Sequence, residues 1–157
     1  MSAIKSLLLA IELATRKRDQ ASQVVIGVQK AQSFAQNQMG QLQTYAAETQ
    51  TRWHAAAQVM TTPELMQHHY QFMDRLHHAI GLQESALENS THKTDAAKRL
   101  ALEAEFRLVN LKQVLKKKQA DMNVLQARRE QKQMDEFAAM QTRQTTSVFS
   151  NGSGHEH

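Results

Sequence analysis

The sequence predicts an all-α fold: a long two-helix antiparallel coiled-coil hairpin with a C-terminal helical overhang and a flexible tail. Three observations predict it. Small and apolar residues recur at alternating three- and four-residue steps from Ile4 to Met60, and again from Met66 to Leu125. The only proline of the chain, Pro63, falls between the two runs. The composition is that of long helices, with five glycines, no cysteine and only 5% aromatic residues among 157. A repeat kept up for so long buries a narrow stripe against another helix. Such a pair leaves no interior in which to build a catalytic pocket, so its chemistry lies on its surface or at its ends.

Helix one is expected over about residues 2–60. Its seam reads Ile4, Leu7, Ile11, Ala14, Arg18, Ala21, Val25, Val28, Gln32, Ala35, Met39, Leu42, Ala46, Thr49, Trp53, Ala56 and Met60. Fourteen of these seventeen are apolar, which is dense enough to define one face. Ser2 is a plausible cap, and at ~1.5 Å per residue the helix is about 85 Å long. A stop and restart follows at Thr61-Thr62-Pro63-Glu64. Thr62 can cap, Pro63 suits a first helical position that needs no N–H donor, and Glu64 complements the helix dipole. Thr61 and Glu64 also have capping-box spacing. The turn is therefore placed at 61–63.

Helix two is expected over about 63–141, with a seam of Met66, His69, Met73, Leu76, Ile80, Gln83, Leu87, Ser90, Thr94, Ala97, Ala101, Ala104, Leu108, Leu111, Leu115, Lys118, Met122 and Leu125. A short connection between two amphipathic helices gives an antiparallel pair. Facing residue numbers then add to a constant, roughly 129 for a tight turn. This register sets Ile4 near Leu125, Val25 near Ala104, Gln32 near Ala97 with Thr94 close by, and Trp53 near Leu76. Nothing in helix one reaches past about Gln126. Yet Met134, Phe137, Ala138 and Met140 keep an apolar stripe at helical spacing. Helix two thus overhangs with a face that requires a partner. From Thr142 the composition turns to Thr, Ser, Gly, Asn and His, so residues 142–157 are expected to form a flexible tail beside a coiled coil of 1–141.

Several function classes are disfavoured by the same reading. Leu7-Leu8-Leu9-Ala10-Ile11 is too short for a signal peptide and is bracketed by Lys5 and Glu12. No stretch approaches the ~20 apolar residues of a membrane span. A soluble, cytoplasmic protein is expected. The formal charge of +4 is a mild bias that selects no partner class. A lack of cysteine removes disulfides, thiolate catalysis and Cys-ligated zinc. None of the eight histidines has another at i+3 or i+4, the spacing a helical metal site requires. Lys116-Lys117-Lys118 and Arg128-Arg129 sit among acidic residues without interleaved aromatics, the pattern of a solvated face and not of nucleic-acid binding. Neither a catalytic constellation nor a cofactor motif can be argued, and no enzyme, metal or cofactor is expected.

One surface element stands out. Gln38, Leu42 and Tyr45 follow i, i+4, i+7 on helix one, as Phe72, Leu76 and Ala79 do on helix two. Leu42 and Leu76 belong to the seam, whereas Tyr45 and Phe72 lie one step off it. Such a set is either a thickened flank of the core or an exposed patch for a partner protein.

The same residues carry a family resemblance. The stretch from His69 to Ile80 resembles the start of helix two in the FliJ family of flagellar type III export proteins. Gln131-Lys132-Gln133-Met134-Asp135-Glu136-Phe137-Ala138 is similar to that family's C-terminal motif. The resemblance spans nearly the whole chain. It implies a non-enzymatic stalk, similar in shape to the γ subunit of rotary ATPases. Its implied partners are a FliI-like hexameric export ATPase, a FlhA-like export gate and export chaperones. The chain would then lie peripherally at the inner membrane through protein partners. By this likeness Gln38, Leu42, Tyr45, Phe72, Leu76 and Ala79 form the export-gate patch, and Met134, Asp135, Phe137 and Met140 bind the ATPase ring. Two positions depart from the pattern: Thr49 stands where another tyrosine is expected, and Gln83 where a histidine is. Trp53 offers further aromatic area nearby. The rival readings are a stalk protein of a related virulence secretion system and a generic dimerising coiled-coil scaffold.

Overall fold

The computed structural model describes residues 2–152, and all of them except 60–62 are helical. Helix α1 spans Ser2–Val59 and α2 spans Pro63–Gly152. The two helices pack against each other as a hairpin, with no strand among the described residues. The side chain of Ser2, expected to cap, and residues 153–157 lie outside what is described.

The turn is set by local chemistry. Met60 N–H closes α1 on the Ala56 carbonyl at 3.1 Å, and α2 restarts with Met66 N–H on the Thr62 carbonyl at 3.0 Å. Thr62 Oγ1 accepts a bond from Leu65 N–H at 3.2 Å. Thr62 is therefore the cap, one residue after the capping-box position Thr61.

Two compact units are distinguished, Glu12–Leu108 on the one hand and Met1–Ile11 with Val109–His157 on the other. In the first unit the buried residues fall on the expected seams. Ala14, Met39, Ala46, Met73, Leu76, Ala97 and Leu108 are buried, and the seam positions between them are half-buried from Ala21 to Trp53 and from Ile80 to Ala104. Ala46, Met73 and Leu76 form one cluster, with Leu42 and Ile80 packed against it.

The middle of this unit is polar. Gln32 Nε2 donates to Thr91 Oγ1 at 3.2 Å, and Gln83 Nε2 donates to the Ala35 carbonyl at 2.9 Å. Thr94, only 2% exposed, gives its hydroxyl to the Ser90 carbonyl at 2.9 Å and lies 3.4 Å from the Val28 carbonyl across the pair. No described buried side-chain N or O atom lacks a partner. Satisfied polar positions of this kind specify register in a coiled coil at some cost in stability.

The register differs from the expected one. Thr94 faces Val28 and Trp53 faces His69, residue numbers that total 122 in each case. Gln32 meets Thr91, not Ala97, and Trp53 meets His69, not Leu76. The shift from 129 is one heptad, which leaves every apolar position on the seam. Heptad periodicity alone does not see such a slip. What selects the shorter register is the tight Thr62-Pro63 restart together with the polar bonds.

In the second unit Ile4, Leu7, Ala10 and Ile11 are half-buried on α1, and Leu111 and Leu115 on α2. From Lys116 through Ser150 every residue of α2 is exposed. The uncovered stretch thus begins about ten residues before Gln126. Met122 and Leu125, expected on the seam, are 44% and 52% exposed.

Helix α2 also continues past 141, into the segment expected to be a tail. Its hydroxyl groups turn back onto it: Thr142 and Thr146 donate to the carbonyls of Ala138 and Thr142 at 2.9 and 2.7 Å. Thr145 bonds the Gln141 carbonyl, Ser147 that of Gln144 and Ser150 that of Ser147. Threonine and serine, which suit a tail by composition, here fold their hydroxyls back onto the helix.

Candidate functional site

Two surfaces gather the residues singled out by the sequence. The first lies in Glu12–Leu108. Tyr45 and Phe72 meet edge to face, with ring centroids 6.1 Å apart and planes at 80°. They are 48% and 39% exposed. Gln38 is exposed and accepts a long bond from Gln83 Nε2 at 3.4 Å. A shallow depression of about 360 Å³ opens here between Gln38, Gln41, Leu42, Tyr45 and Gln83. The structure thus brings Gln38, Leu42, Tyr45 and Phe72 into one neighbourhood. Leu76 is different in kind. At 7% exposure it belongs to the core cluster and supports the patch from beneath, with half-buried Ala79 beside it. Gln83 ties the two helices together at the patch edge. Trp53 does not extend the patch as free aromatic area. It is half-buried and stacked on His69 at 4.5 Å with planes 10° apart, and His69 bonds Gln50 Oε1 at 3.1 Å.

The second surface lies on the uncovered part of α2. Met134, Phe137 and Met140 are 69%, 64% and 59% exposed. Asp135 accepts a bond from Gln131 Nε2 at 3.2 Å, an i,i+4 contact that fixes its carboxylate beside the stripe. A concave strip of about 670 Å³ is lined by Glu130, Gln133, Met134, Phe137, Ala138 and Gln141. Val148 and Phe149, 71% and 79% exposed, fall in the segment expected to be a tail. Val148 stands two heptads after Met134 and so extends the stripe. That spacing is visible in the sequence once the helix is allowed to pass Thr142.

Met134 and Phe137 leave the line of the hairpin seam, to which Met140 returns. At 100° per residue, Met134 and Phe137 project roughly a quarter-turn away from Leu111 and Leu115, the positions that α1 covers. A partner for this face therefore approaches α2 from a different side than Ile4 to Ile11 do.

Among the described residues no three His, Cys, Asp or Glu side chains gather as a metal site. No described helix is long and apolar enough to cross a membrane. The chain is thus a helical hairpin with one aromatic patch and one uncovered apolar stripe.

The family model described as Flagellar FliJ protein matches residues 4–147, and the chain belongs to that family. The match covers both surfaces, and membership makes the chain a component of flagellar type III protein export. Comparison with curated proteins and with solved structures gave no match.

Proposed function

We propose that this chain is a non-enzymatic stalk that inserts the uncovered part of α2 into the hexameric export ATPase, promotes ring assembly and turnover, and contacts the export gate through the Tyr45–Phe72 patch. The observation that carries the reading is the exposed stripe of Met134, Phe137 and Met140 on a stretch of helix that is exposed throughout from Lys116 to Ser150. An apolar strip of that length on a single helix suits a groove or pore that closes around it. Asp135 would add a polar contact to fix register. Association with the inner membrane at the flagellar base would be peripheral, through the gate, and export chaperones would ride on the same stalk. Catalysis would remain with the ATPase.

The test replaces Met134 and Phe137 together by alanine and measures stimulation of the export ATPase. Stimulation is expected to fall to the basal rate. The hairpin should melt as before, since exposed substitutions of this kind move stability by only about 0.5 kcal/mol. Undiminished stimulation by a folded variant would remove the assignment.

A further inference from the structure

The face of α1 opposite its seam carries a further pattern, which borders the first surface at Gln41 and Tyr45. From Ile26 through Lys30, Ser33, Asn37, Gly40 and Thr44 to Glu48, exposed residues follow at steps of three and four. Ile26 is 45% exposed, and Phe34, beside the row, 64%. Two shallow depressions of about 500 Å³ each run along this face and meet at Asn37.

Charge says what covers it. Lys30 and Glu48 bound the row about five full helical turns apart, so they project in the same direction. They also lie equally far in sequence from Met39, on either side. A two-fold axis across α1 at that level sets Lys30 of each copy opposite Glu48 of the other, Asn37 opposite Gln41 and Phe34 opposite Thr44. A parallel pairing would oppose like charges at both ends, which is unfavourable. Glu48 has only an exposed contact to Arg52 at 3.5 Å, and Lys30 has no ion pair among the described residues. The centre fits as well. An added Cβ at Gly40 would meet nothing within 4 Å, so packing within the chain does not require glycine there. Glycine there leaves room for a second backbone to come close.

We propose that this face is an antiparallel, two-fold symmetric interface between two copies of the chain. Two identical Lys30–Glu48 contacts close it, and exposed Phe34 supplies its apolar area.

Sedimentation equilibrium of the full chain over a range of concentration and salt tests this. The expected result is a reversible monomer–dimer equilibrium that weakens as salt is raised. Lys30→Glu alone and Glu48→Lys alone should each weaken association on the order of tenfold or more, because each creates two like-charge contacts per dimer. The double reversal should restore it. Helical content by circular dichroism reports that the variants fold. A chain that stays monomeric throughout would overturn the proposal, as would single reversals without effect or a double reversal that fails to rescue. Association lost instead in the Met134→Ala, Phe137→Ala variant would also overturn it, because the dimer would then form through the uncovered stripe of α2.

Discussion

Replacing Gln32 and Gln83 by leucine and Thr94 by valine should leave the hairpin folded but loosen its register. Gln32 and Gln83 bond Thr91 Oγ1 and the Ala35 carbonyl across the pair at 3.2 and 2.9 Å, and Thr94, whose one hydroxyl proton goes to the Ser90 carbonyl of its own helix, lies 3.4 Å from the Val28 carbonyl. Neither cross-helix bond forms if the helices slip by one heptad, while the apolar positions repack almost unchanged. At about 1 kcal/mol net per bond, the two contribute about 2 kcal/mol of discrimination between the registers. That is roughly thirtyfold in their ratio. The absence of cysteine makes the assay direct. Ala21→Cys with Ala101→Cys should cross-link in the observed register, and Val28→Cys with Ala101→Cys only in the slipped one. Carrying the triple substitution should raise the slipped product roughly thirtyfold at little cost in thermal stability, since leucine and valine fill the seam. If the slipped product does not rise, the Thr62-Pro63 turn alone sets the register, and the polar layer has no part in choosing it.

Two further outcomes are expected. Tyr45→Ala and Phe72→Ala should be coupled by about 0.5–1.5 kcal/mol in a thermal-unfolding double-mutant cycle, as an edge-to-face pair requires, and each should weaken binding to the export gate protein by calorimetry. Gly81→Ala should stabilise the hairpin by up to ~1 kcal/mol in denaturant unfolding, because the position is mid-helix and a Cβ there meets nothing within 4 Å.

The seams are readable in the sequence because burial repeats with the helix. From Ile4 to Trp53 and from His69 to Leu115 the expected residues are those turned inward. The register is not, since a seven-residue shift carries every seam position onto another seam position. The Thr62-Pro63 restart and the specific encounters of Gln32, Gln83 and Thr94 break that degeneracy, and a periodicity count weighs the encounters as defects. The expected start of the overhang carries the same error, which is why Met122 and Leu125 fall on the seam by periodicity and on the surface in the structure. The helix beyond Thr142 escapes the sequence for another reason. Serine and threonine favour turns when their hydroxyls seek the backbone of an open chain, and the same hydroxyls bond the preceding turn once a long helix is already running. At the Tyr45–Phe72 patch the residue types are visible, but the division of labour is not. Spacing places Leu76 and Tyr45 alike, whereas packing against Ala46 and Met73 puts one beneath the surface and leaves the other on it.

The angular offset between Met134–Phe137 and Leu111–Leu115 bears on how fast this protein can be captured. Whatever closes around the free stretch of α2 takes hold without prising Ile4 or Leu7 from their seats. On the proposed reading, docking carries no opening step, its rate follows collision and orientation alone, and the grip can be released and remade while Leu111 and Leu115 stay covered.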